Sequence, residues 1–544
     1  MPAPKMDFSR EEAAEREIGR TSISPAVRRF LVAIFVVSIC CVPLIQCLIE
    51  GVGGKPLRVL EVLKTFPNAI RAFKANGDLF QKVGAANSSL MNDFKVFEKS
   101  LEDESFLMRY ALPSVQYVTL KFLGLGNEKV YPGRDGWLFY RPDVDYVSGA
   151  PFLSPNELRH RANALVEPNP LPALIRFHQD LAARGIRLIL LPLPVKPMLE
   201  AEALTASVGR YPLQNASFAK FLDEVNRHGI EYVDPTEFLA AEKTTNELPQ
   251  FLKTDSHWTP SAMERVANLV ADKVGRSLST APLYKKSAPR DVQNHGDLIA
   301  MLRLSNPKSL FPIETATIHP IVDRFGNSWH PDPSAEVLLL GDSFTNIYSS
   351  QDLGWGTSAG LAEHLSFALQ KPLDRIAVNA GGSSTARQSL VRSPERLHGK
   401  RVVIYEFAMR DLSSGDWKIL PLPQAESVAK KANPQIASVS GVIQEISRAP
   451  KPGSVPYRDL IICIHLNGIK DFPVSEVLVF LHGMKNNALT SANQLKAGDT
   501  IQLEVVPWSA VEDQYGSINR KELSGPAANI EEIFWSESVP EVVR

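Results

Sequence analysis

The fold is decided by the stretch EVLLLGDSFTN at residues 336–346. Its apolar run, residues 337–340, has the composition of a strand that is buried on both faces of a parallel sheet. The run stops at Gly341, and a glycine at the carboxyl end of a strand permits a sharp turn. Because ligand crevices in open α/β sheets lie beyond the carboxyl ends of the strands, Ser343 is predicted to project into a crevice as a nucleophile. The alternative is an ordinary turn in which Asp342 or Ser343 caps the next helix.

A second stretch upstream, FLKTDSHWTP at residues 251–260, supplies complementary chemistry. Asp255 and His257 are two residues apart, and on an extended chain such residues point to the same side, so the carboxylate can orient the imidazole. Together with Ser343 they make all three parts of an acyl-transfer triad. The competing interpretation is a structural histidine beside an ordinary helix start at Thr259.

At these residues the chain resembles the alginate O-acetyltransferase group, the AlgX/AlgJ-like proteins with an SGNH-hydrolase-like domain. The resemblance rests on TDSHW at residues 254–258, followed further on by GDSF at residues 341–344. In ordinary SGNH hydrolases the Asp-x-x-His element follows the serine block, whereas here and in the acetyltransferase group Asp-x-His precedes it. The resemblance therefore implies an SGNH-hydrolase-like fold with a permuted motif order over residues 127–423.

The residues of this predicted domain alternate between strand-like and helix-like patterns, which favours a doubly wound parallel α/β sheet. A GWLF sequence inside residues 130–140 is also typical of the start of the domain in the resembled family. The predicted elements are a turn and aromatic strand at 130–140, helices at 171–184, 218–228, 235–243 and 361–369, and strands at 186–192, 230–234, 375–380 and 401–412.

Groups that bind the oxyanion or the substrate are harder to assign. Where SGNH hydrolases carry a Gly-x-Asn-Asp block, this chain has Glu406 followed by Arg410 and Asp411. An oxyanion asparagine must then come from elsewhere, and a backbone N–H from the glycine turn after strand 375–380; a simple loop is the alternative for that turn. Lys196, in a Pro-x-x-Lys like that of the family, is either a site residue or a solvated loop lysine. The candidates are Asn346, Asn379, Gly381, Gly382, Lys196 and Arg410.

Residues 30–49 contain no charged side chain and follow Arg28 and Arg29, which predicts a single-pass transmembrane anchor at 27–50 behind a cytoplasmic tail at 1–26. A cleaved signal peptide is the alternative, but no small-x-small site closes the run. Residues 51–126 are predicted as a helical membrane-proximal segment.

Composition narrows the function classes. The chain has 544 residues, of which 44% are hydrophobic and 22% charged, with a net charge of -1, so we expect no nucleic-acid partner. Of its four cysteines, Cys40, Cys41 and Cys47 lie in or beside the apolar run and Cys463 stands apart. No disulfide framework or thiolate metal site is expected.

Residues 424–435 are predicted as a linker, and residues 436–544 as an all-β module whose five or so strands suit a small barrel or sandwich. Trp508 and Tyr515 in this module either stack on sugar rings, which would make it a carbohydrate-binding module, or pack in its core. Because all three triad candidates precede the module, we expect it to do no chemistry.

The leading functional prediction is an O-acetyltransferase that acts on an exported polysaccharide. Ser343 would carry the acetyl group, His257 would be the general base and acid, and Asp255 would hold the imidazole, without metal or cofactor. The resemblance implies a membrane-bound O-acyltransferase as acetyl donor, and a catalytic domain in the periplasm on a single-pass inner-membrane anchor. The alternatives are a carbohydrate esterase or lipase with the same triad, and a non-catalytic polysaccharide-binding scaffold.

Overall fold

The computed structural model of this chain describes most residues from 24 onwards. The described residues are 24–54, parts of 57–98, 105–162, 166–206, 212–276, 282–423 and 437–542 without 453–454, 456, 470–471, 517, 524–526, 528–529, 531 and 539–540. The chain divides into two compact units, residues 1–115 and 116–544. The predicted linker at 424–435 and most of the predicted tail at 1–26 lie outside the described residues.

The first unit is helical. Its helices are α1 (Pro25–Val52), α2 (Phe66–Phe73) and α3 (Phe106–Tyr110). Ser24 caps α1 by accepting a hydrogen bond from the Val27 N–H at 3.3 Å, and Pro25 occupies the first helical position, where a missing N–H costs nothing. Among the described residues, α1 is the one helix long and apolar enough to cross a membrane, in agreement with the predicted span.

The second unit begins within α4 (Leu112–Leu123) and contains an α/β domain followed by a β-rich module. Its first elements are β1 (Val130–Pro132), β2 (Leu138–Tyr140), α5 (Arg141–Ser148), α6 (Pro155–Ala162), α7 (Pro170–Ala182), β3 (Arg187–Leu193), α8 (Lys196–Leu199), α9 (Ala201–Leu204), α10 (Phe218–Arg227), β4 (Glu231–Tyr232), α11 (Thr236–Asn246) and α12 (Pro260–Val274). They are followed by β5 (Tyr284–Lys286), β6 (Arg290–Asn294), α13 (Asp297–Leu302), β7 (Glu314–Ile318), β8 (Ile321–Asp323), β9 (Val337–Gly341), α14 (Ser343–Asn346), α15 (Leu361–Leu369), β10 (Asp374–Ala377), α16 (Thr385–Arg392), β11 (Val402–Ala408) and α17 (Asp411–Ser414).

The α/β domain is built on one five-stranded sheet in the order β10-β9-β11-β3-β4, and every neighbouring pair is parallel. The predicted parallel α/β sheet is confirmed. All residues of β9 and β11 are buried, as expected for strands inside a parallel sheet, although β11 includes the carboxyl group of Glu406. The last strand along the chain, β11, is the central one, because it inserts between β9 and β3.

Gly341 ends β9 for a reason other than the one predicted. Its φ is not positive, so the turn itself does not require glycine. A Cβ at this position would lie 2.3 Å from Thr345 Oγ1 and 2.6 Å from Glu406 Oε2. Glycine is therefore needed because a neighbouring strand delivers a buried carboxyl group against the backbone at this point.

Three short antiparallel pairs lie outside this sheet, namely β1–β2, β5–β8 and β6–β7. The aromatic stretch at 130–140 folds back on itself as β1 and β2, and β6 pairs with β7. The β1–β2 hairpin shares an apolar cluster with the buried face of α13, formed by Leu298, Ile299 and Leu302. This packing fixes α13, whose first residue is Asp297, at the edge of the sheet.

The C-terminal module is a closed β-barrel. Its elements are β12 (Ala437–Ile446), β13 (Leu460–Asn467), β14 (Glu476–Lys485), β15 (Ala488–Leu489), β16 (Thr500–Pro507), α18 (Glu512–Tyr515), β17 (Arg520–Lys521), β18 (Ile533–Trp535) and β19 (Glu541–Val542). Pairing runs β12-β13-β14-β18-β16 and returns to β12, so five strands close a ring with an apolar interior. A second apolar cluster lies on the outside of the barrel and includes Trp508, which is 5% exposed and packs edge-on against Phe480 at 5.0 Å. Trp508 therefore packs in this cluster. The ring of Tyr515 stacks on the ring of Trp535, with 4.2 Å between the ring centres.

The barrel contacts the α/β domain mainly along α16. Arg392 pairs with Glu522, and Arg520 Nη2 donates a hydrogen bond to Ser389 Oγ at 2.9 Å. Arg396 lies 3.8 Å from Glu512 across the same contact. These charged side chains are shielded from water, so the contact holds the barrel in a fixed position against the sheet.

Candidate functional site

Ser343 stands where β9 ends and α14 begins. Asp342 caps this short helix by accepting a hydrogen bond from the Phe344 N–H at 2.7 Å. The cap and the projecting serine are thus parts of one turn and not alternatives. Ser343 is half-buried, and its Oγ lies 2.8 Å from His257 Nε2.

Asp255 and His257 are brought together by a turn, not by the extended chain that the sequence predicted. The loop is closed at its ends by an isolated bridge between Phe251 and Trp258. Inside it, Asp255 Oδ1 accepts hydrogen bonds from both the His257 N–H at 3.1 Å and the His257 ring at Nδ1, 2.6 Å away. Because an ionised carboxylate only accepts, Nδ1 carries the proton and Nε2 is left as the acceptor for the Ser343 hydroxyl.

Other carboxylates hold this loop through its backbone. Glu314 accepts from the N–H groups of Lys253 at 2.7 Å and Thr254 at 3.0 Å, and Glu200 accepts from the Gln250 N–H at 2.7 Å. The loop backbone is therefore fixed by side chains from β7 and from the α8–α9 turn.

The second oxygen of Asp255 is also fully engaged. Oδ2 accepts from Trp355 Nε1 at 2.8 Å and from the Asp297 N–H at 3.0 Å. The close approach of the Asp297 backbone depends on Gly296, which has a φ of +80° and whose Cβ would lie 2.3 Å from the Thr254 carbonyl oxygen. Asp255 is thus orientated by four hydrogen bonds.

Charge and burial set the protonation of this group. Burial opposes the ionisation of Asp255, but the hydrogen bond and charge of His257, with the bond from Trp355, lower the pKa of Asp255 to about 2. Burial works against the imidazolium, yet the hydrogen bond to Asp255 and the charges of Asp255, Asp297 and Asp342 leave the pKa of His257 raised. Burial and the neighbouring Asp255 charge raise the pKa of Asp297 to about 6. The imidazole is therefore a stronger base than an ordinary histidine.

Ser343 opens onto a cavity of about 650 Å³, within the usual range of small-ligand pockets. The cavity is lined by all three triad candidates and by three further predicted residues, Asn379, Gly382 and Arg410. The remaining predicted residues, Asn346, Gly381 and Lys196, do not line it.

Asn346 lies beneath the cavity. It is fully buried, and its Nδ2 donates to the Ala377 carbonyl at 3.1 Å and to Asn379 Oδ1 at 2.9 Å. The second bond makes Oδ1 the accepting end of the Asn379 amide, so Nδ2 of Asn379 is its donor end. The Gly381 N–H is used in a 3.0 Å bond to the Val378 carbonyl, whereas Gly382 is exposed at the cavity rim with a φ of +56°.

Lys196 is neither a cavity residue nor a solvated loop lysine. It is fully buried behind the Asp255 loop, where Nζ donates to the carbonyl oxygens of Leu138 at 2.8 Å and Lys253 at 3.4 Å. Burial lowers the pKa of Lys196 to about 8. Its position indicates that it supports the loop from beneath.

Arg410 and two carboxyl groups form a charged patch in and beside the cavity. Arg410 Nη1 donates to Asp143 Oδ1 at 3.0 Å, and its guanidinium lies 5.5 Å from the ring centres of Tyr140 and Phe344. Burial raises the pKa of the adjacent Asp411 to about 7, and Asp411 Oδ2 has no hydrogen-bond partner among the described residues. Near neutral pH, Asp411 is thus present in both its neutral and its ionised form. Its carboxyl group can donate a hydrogen bond in the neutral form and only accepts one in the ionised form.

Glu406 lies directly under the serine turn. Its Oε2 accepts from the Asp342 N–H at 2.9 Å and from Thr345 Oγ1 at 2.8 Å, and its Oε1 has no hydrogen-bond partner among the described residues. Burial and the charge of Asp342 raise the pKa of Glu406 well above its usual range. A neutral carboxyl group thus fixes the turn that carries Ser343.

One cluster has the spacing of a metal site. The ligand atoms of Asp255, His257 and Asp297 lie within 4.8 Å of one another. However, both ring nitrogens of His257 already serve Asp255 and Ser343, so a metal ion here would displace the hydrogen bonds that define the site.

The residues missed by sequence reasoning are Trp355, Asp297, His295, Tyr457 and Asn519. Trp355 is 100 residues from its partner Asp255, so no local pattern joins them. Asp297 carries a weak local signal, since a Gly-Asp pair precedes the apolar start of α13. The other three line the cavity, two of them from the barrel.

The fold and this constellation define an α/β protein with a serine at the carboxyl edge of a parallel sheet and a histidine–aspartate pair hydrogen-bonded to it. Residues 130–409, more than half of the chain, match the family described as SGNH hydrolase-like domain, acetyltransferase AlgX. The chain belongs to this family.

Curated relatives are named as probable alginate O-acetylases AlgJ. The Pseudomonas aeruginosa protein is 26% identical over 186 residues, which cover 33% of this chain and 42% of the relative. The Pseudomonas fluorescens protein is 24% identical over 331 residues, which cover 58% of this chain and 77% of the relative. The matched regions thus span from less than half to about three quarters of these relatives.

Among solved structures, the O-acetyltransferase domain of Pseudomonas putida AlgJ is similar over 56% of this chain and 96% of that domain. The two share 20% sequence identity, and the TM-score is 0.41.

Proposed function

We propose that this chain is an O-acetyltransferase that places acetyl groups on hydroxyl groups of an exported polysaccharide. The observation that carries the proposal is the hydrogen-bonded line from Asp255 through His257 to Ser343, which ends in an open cavity. Membership of an acetyltransferase family and the names of the curated relatives support the acetyl group and the polysaccharide class. The Asp-x-His stretch precedes the serine in this chain, and we infer the permuted SGNH motif order from it.

In the proposed reaction, His257 Nε2 takes the proton of Ser343 Oγ as that oxygen attacks the acetyl carbonyl carbon of the donor. The donor's leaving group departs with the proton from His257, and Ser343 holds the acetyl group as an ester. A sugar hydroxyl then attacks the same carbon while His257 takes its proton. The bond between the acetyl carbon and Ser343 Oγ breaks, the proton passes to Oγ, and the acetylated sugar leaves.

The tetrahedral oxyanion needs donors near Ser343. We assign this role to the Ser343 backbone N–H and to the side-chain Nδ2 of Asn379. Asn346 donates a hydrogen bond to Asn379 Oδ1, which identifies Nδ2 as the donor atom of the Asn379 amide. Each such donor contributes about 3 kcal/mol in acyl-transfer enzymes. Gly382 at the rim is a further candidate, while Gly381 is not, because its N–H is already used.

The setting of the reaction follows from α1. We propose that this helix anchors the chain in the inner membrane with its larger unit in the periplasm. Acetyl-CoA is a cytoplasmic donor, so a membrane-bound O-acyltransferase would pass the acetyl group outwards to Ser343.

The proposal is tested by trapping the intermediate. Incubation of the purified protein with p-nitrophenyl acetate should add one acetyl mass to the peptide that contains Ser343, and the Ser343→Ala protein should gain none there. The trapped acetyl-enzyme is then offered water alone, or water with oligosaccharides. Faster deacylation with an acetylated sugar as product supports transfer; an unchanged rate and free acetate would make this protein an esterase. An unacetylated Ser343 in active protein would overturn the proposal.

A further inference from the structure

The cavity that holds Ser343 is not built by the α/β domain alone. Three residues of the C-terminal barrel, Val455, Tyr457 and Asn519, belong to its lining. That the module does no chemistry stays a prediction, but part of it lines the cavity. The barrel is therefore part of the cavity wall.

Asn519 is the most informative of the three. It is 1% exposed, yet both Oδ1 and Nδ2 lack a hydrogen-bond partner among the described residues. Buried amides are almost always paired, because removing an unpaired donor and acceptor from water costs free energy. An amide held at a cavity wall with both ends open is arranged for a ligand that offers a donor and an acceptor together.

The position of Asn519 is fixed by its backbone. Its carbonyl accepts a 2.8 Å hydrogen bond from the Ile461 N–H of β13. The next residue, Arg520, bonds Ser389 of α16, and Glu522 pairs with Arg392 of the same helix. The open amide thus sits on the segment that joins the barrel to the α/β domain, and it has little freedom to find another partner.

Two neighbours in the lining add to the same chemistry. His295, from the loop between β6 and α13, has both ring nitrogens buried and without a partner among the described residues. Tyr457 brings an aromatic ring, and burial raises its pKa to about 12, so its hydroxyl group stays neutral. Open amide and imidazole groups in the same lining as an aromatic ring match a molecule with several hydroxyl groups and apolar C–H faces.

We propose that Asn519 binds hydroxyl groups of the acceptor sugar in the cavity that contains Ser343, so that the barrel selects the acceptor while the α/β domain performs the transfer. This inference rests on the proposed acetyl transfer. A sugar hydroxyl both donates and accepts, and adjacent hydroxyl groups on a ring satisfy both ends of one amide. The acetyl donor needs no such contact, since an acetyl group has no hydroxyl.

The test separates the two half-reactions. Acylation is followed by p-nitrophenol release from p-nitrophenyl acetate, and deacylation by loss of the acetyl mass at increasing concentrations of alginate or cello-oligosaccharides. Asn519→Leu keeps the branched outline of the side chain and removes the amide. We expect unchanged acylation, and about tenfold more sugar needed for half-maximal deacylation, the effect of losing one to two neutral hydrogen bonds.

A stability measurement distinguishes this role from a structural one. Because the Asn519 side chain has no hydrogen bond to lose among the described residues, the melting temperature of Asn519→Leu should equal or exceed that of the wild type. Gln502→Leu, at an exposed amide on β16, is the matched control and should leave both half-reactions unchanged. Asn519→Ala gives the same comparison if the leucine does not fit.

The outcomes are distinct. Wild-type sugar dependence in both Asn519 variants would overturn this inference and leave acetyl transfer standing. A lower melting temperature together with slower acylation would also overturn it, because Asn519 would then be structural. If no sugar accelerates deacylation of the wild type, the proposed transfer fails and this inference fails with it.

Discussion

The two walls of the cavity differ in how their buried polar groups are satisfied. On the α/β side, both oxygens of Asp255 are occupied, by His257, Trp355 and the Asp297 backbone. On the barrel side, the amide of Asn519 is equally buried and has no partner among the described residues. Nearly the same burial thus accompanies opposite hydrogen-bond states.

This difference separates two tasks. A carboxylate with four hydrogen bonds is held in one orientation before any substrate arrives, which is what electrostatic preorganisation of a catalytic base requires. An unpaired amide has hydrogen bonds to gain from a bound molecule, which is the role that we propose for Asn519. Removing a donor or a charge from the α/β side should therefore disturb the orientation and basicity of His257.

The largest expected effect comes from the line that ends at Ser343. Ser343→Ala and His257→Ala should each reduce acetyl transfer by at least about 10⁴-fold, and Asp255→Ala by somewhat less, because the three groups act as a unit. Transfer is measured as acetylated oligosaccharide formed from p-nitrophenyl acetate. Ser261→Ala, at an exposed position of α12, is the control and should keep full activity. Retention of activity by Ser343→Ala would contradict the site.

Glu406 should stabilise the fold through its packing and its hydrogen bonds and not through a negative charge. Because its pKa is raised well above the usual range, Glu406→Gln keeps a neutral acceptor for the Asp342 N–H and should change the free energy of unfolding by less than about 1 kcal/mol. Glu406→Ala opens a cavity and leaves that N–H unpaired, at a cost of about 2–4 kcal/mol. Urea unfolding measures both, and an equal loss in the two variants would show that the carboxyl group is ionised.

Some of these elements could be predicted from the sequence and others could not. Helix α15 and the buried strand β9 follow from local apolar patterns, which are short-range and largely independent of the rest of the fold. Asp255, His257 and Ser343 were found because each carries its own chemistry in a short motif. The turn that joins Asp255 to His257 was missed, because it depends on carboxylates such as Glu314 that arrive from elsewhere.

Contacts between residues that are far apart in the sequence could not be predicted for the same reason. Trp355 lies in a polar segment without periodicity, and only packing shows that its Nε1 meets Asp255. Asn519 follows a short helix in a module outside the family match, and its openness is visible only once burial and partners are known. Among the oxyanion candidates, Asn346 and Asn379 were found together, but the sequence could not tell which one lies beneath the other.

Trp355→Phe removes one of the four hydrogen bonds that Asp255 accepts on the α/β side of the cavity. The ring volume is mostly kept, but Asp255 Oδ2 loses one of its two donors, and a hydrogen bond to a charged group is worth about 1.5–3 kcal/mol. We expect acylation to slow by at least about tenfold. Asp255 has a pKa below its unfolded value, so its stabilising effect is present above about pH 4 and is lost as the pH falls towards 2. The variant should have less of this stability to lose.

The matched control for this change is Trp329→Phe. Trp329 is also buried, and its Nε1 donates to Ser366 Oγ at 2.9 Å, away from the cavity. This variant should lose stability by about 1 kcal/mol and keep its acylation rate. Equal acylation in the two variants would mean that Trp355 only fills space.

The smallest expected effect is a shift in pH dependence from Asp297. Its Oδ2 lies 3.9 Å from His257 Nδ1, and its negative charge helps to raise the pKa of His257. The base must be neutral to accept the Ser343 proton, so the acid limb of the acylation profile follows the pKa of His257.

Asp297→Asn keeps an acceptor for the Ser256 N–H but removes the charge, which lowers the pKa of His257. The acid limb should move to lower pH, because the attraction that favours the imidazolium is lost. Since the pKa of Asp297 is about 6, the gain appears above that pH, where the wild-type carboxylate is charged. The profile is measured with p-nitrophenyl acetate from pH 5 to about pH 9, the span over which histidine titrates, and Asp291→Asn, exposed on β6, should leave it unmoved. A shift to higher pH would mean that Asp297 does not act on His257 through its charge.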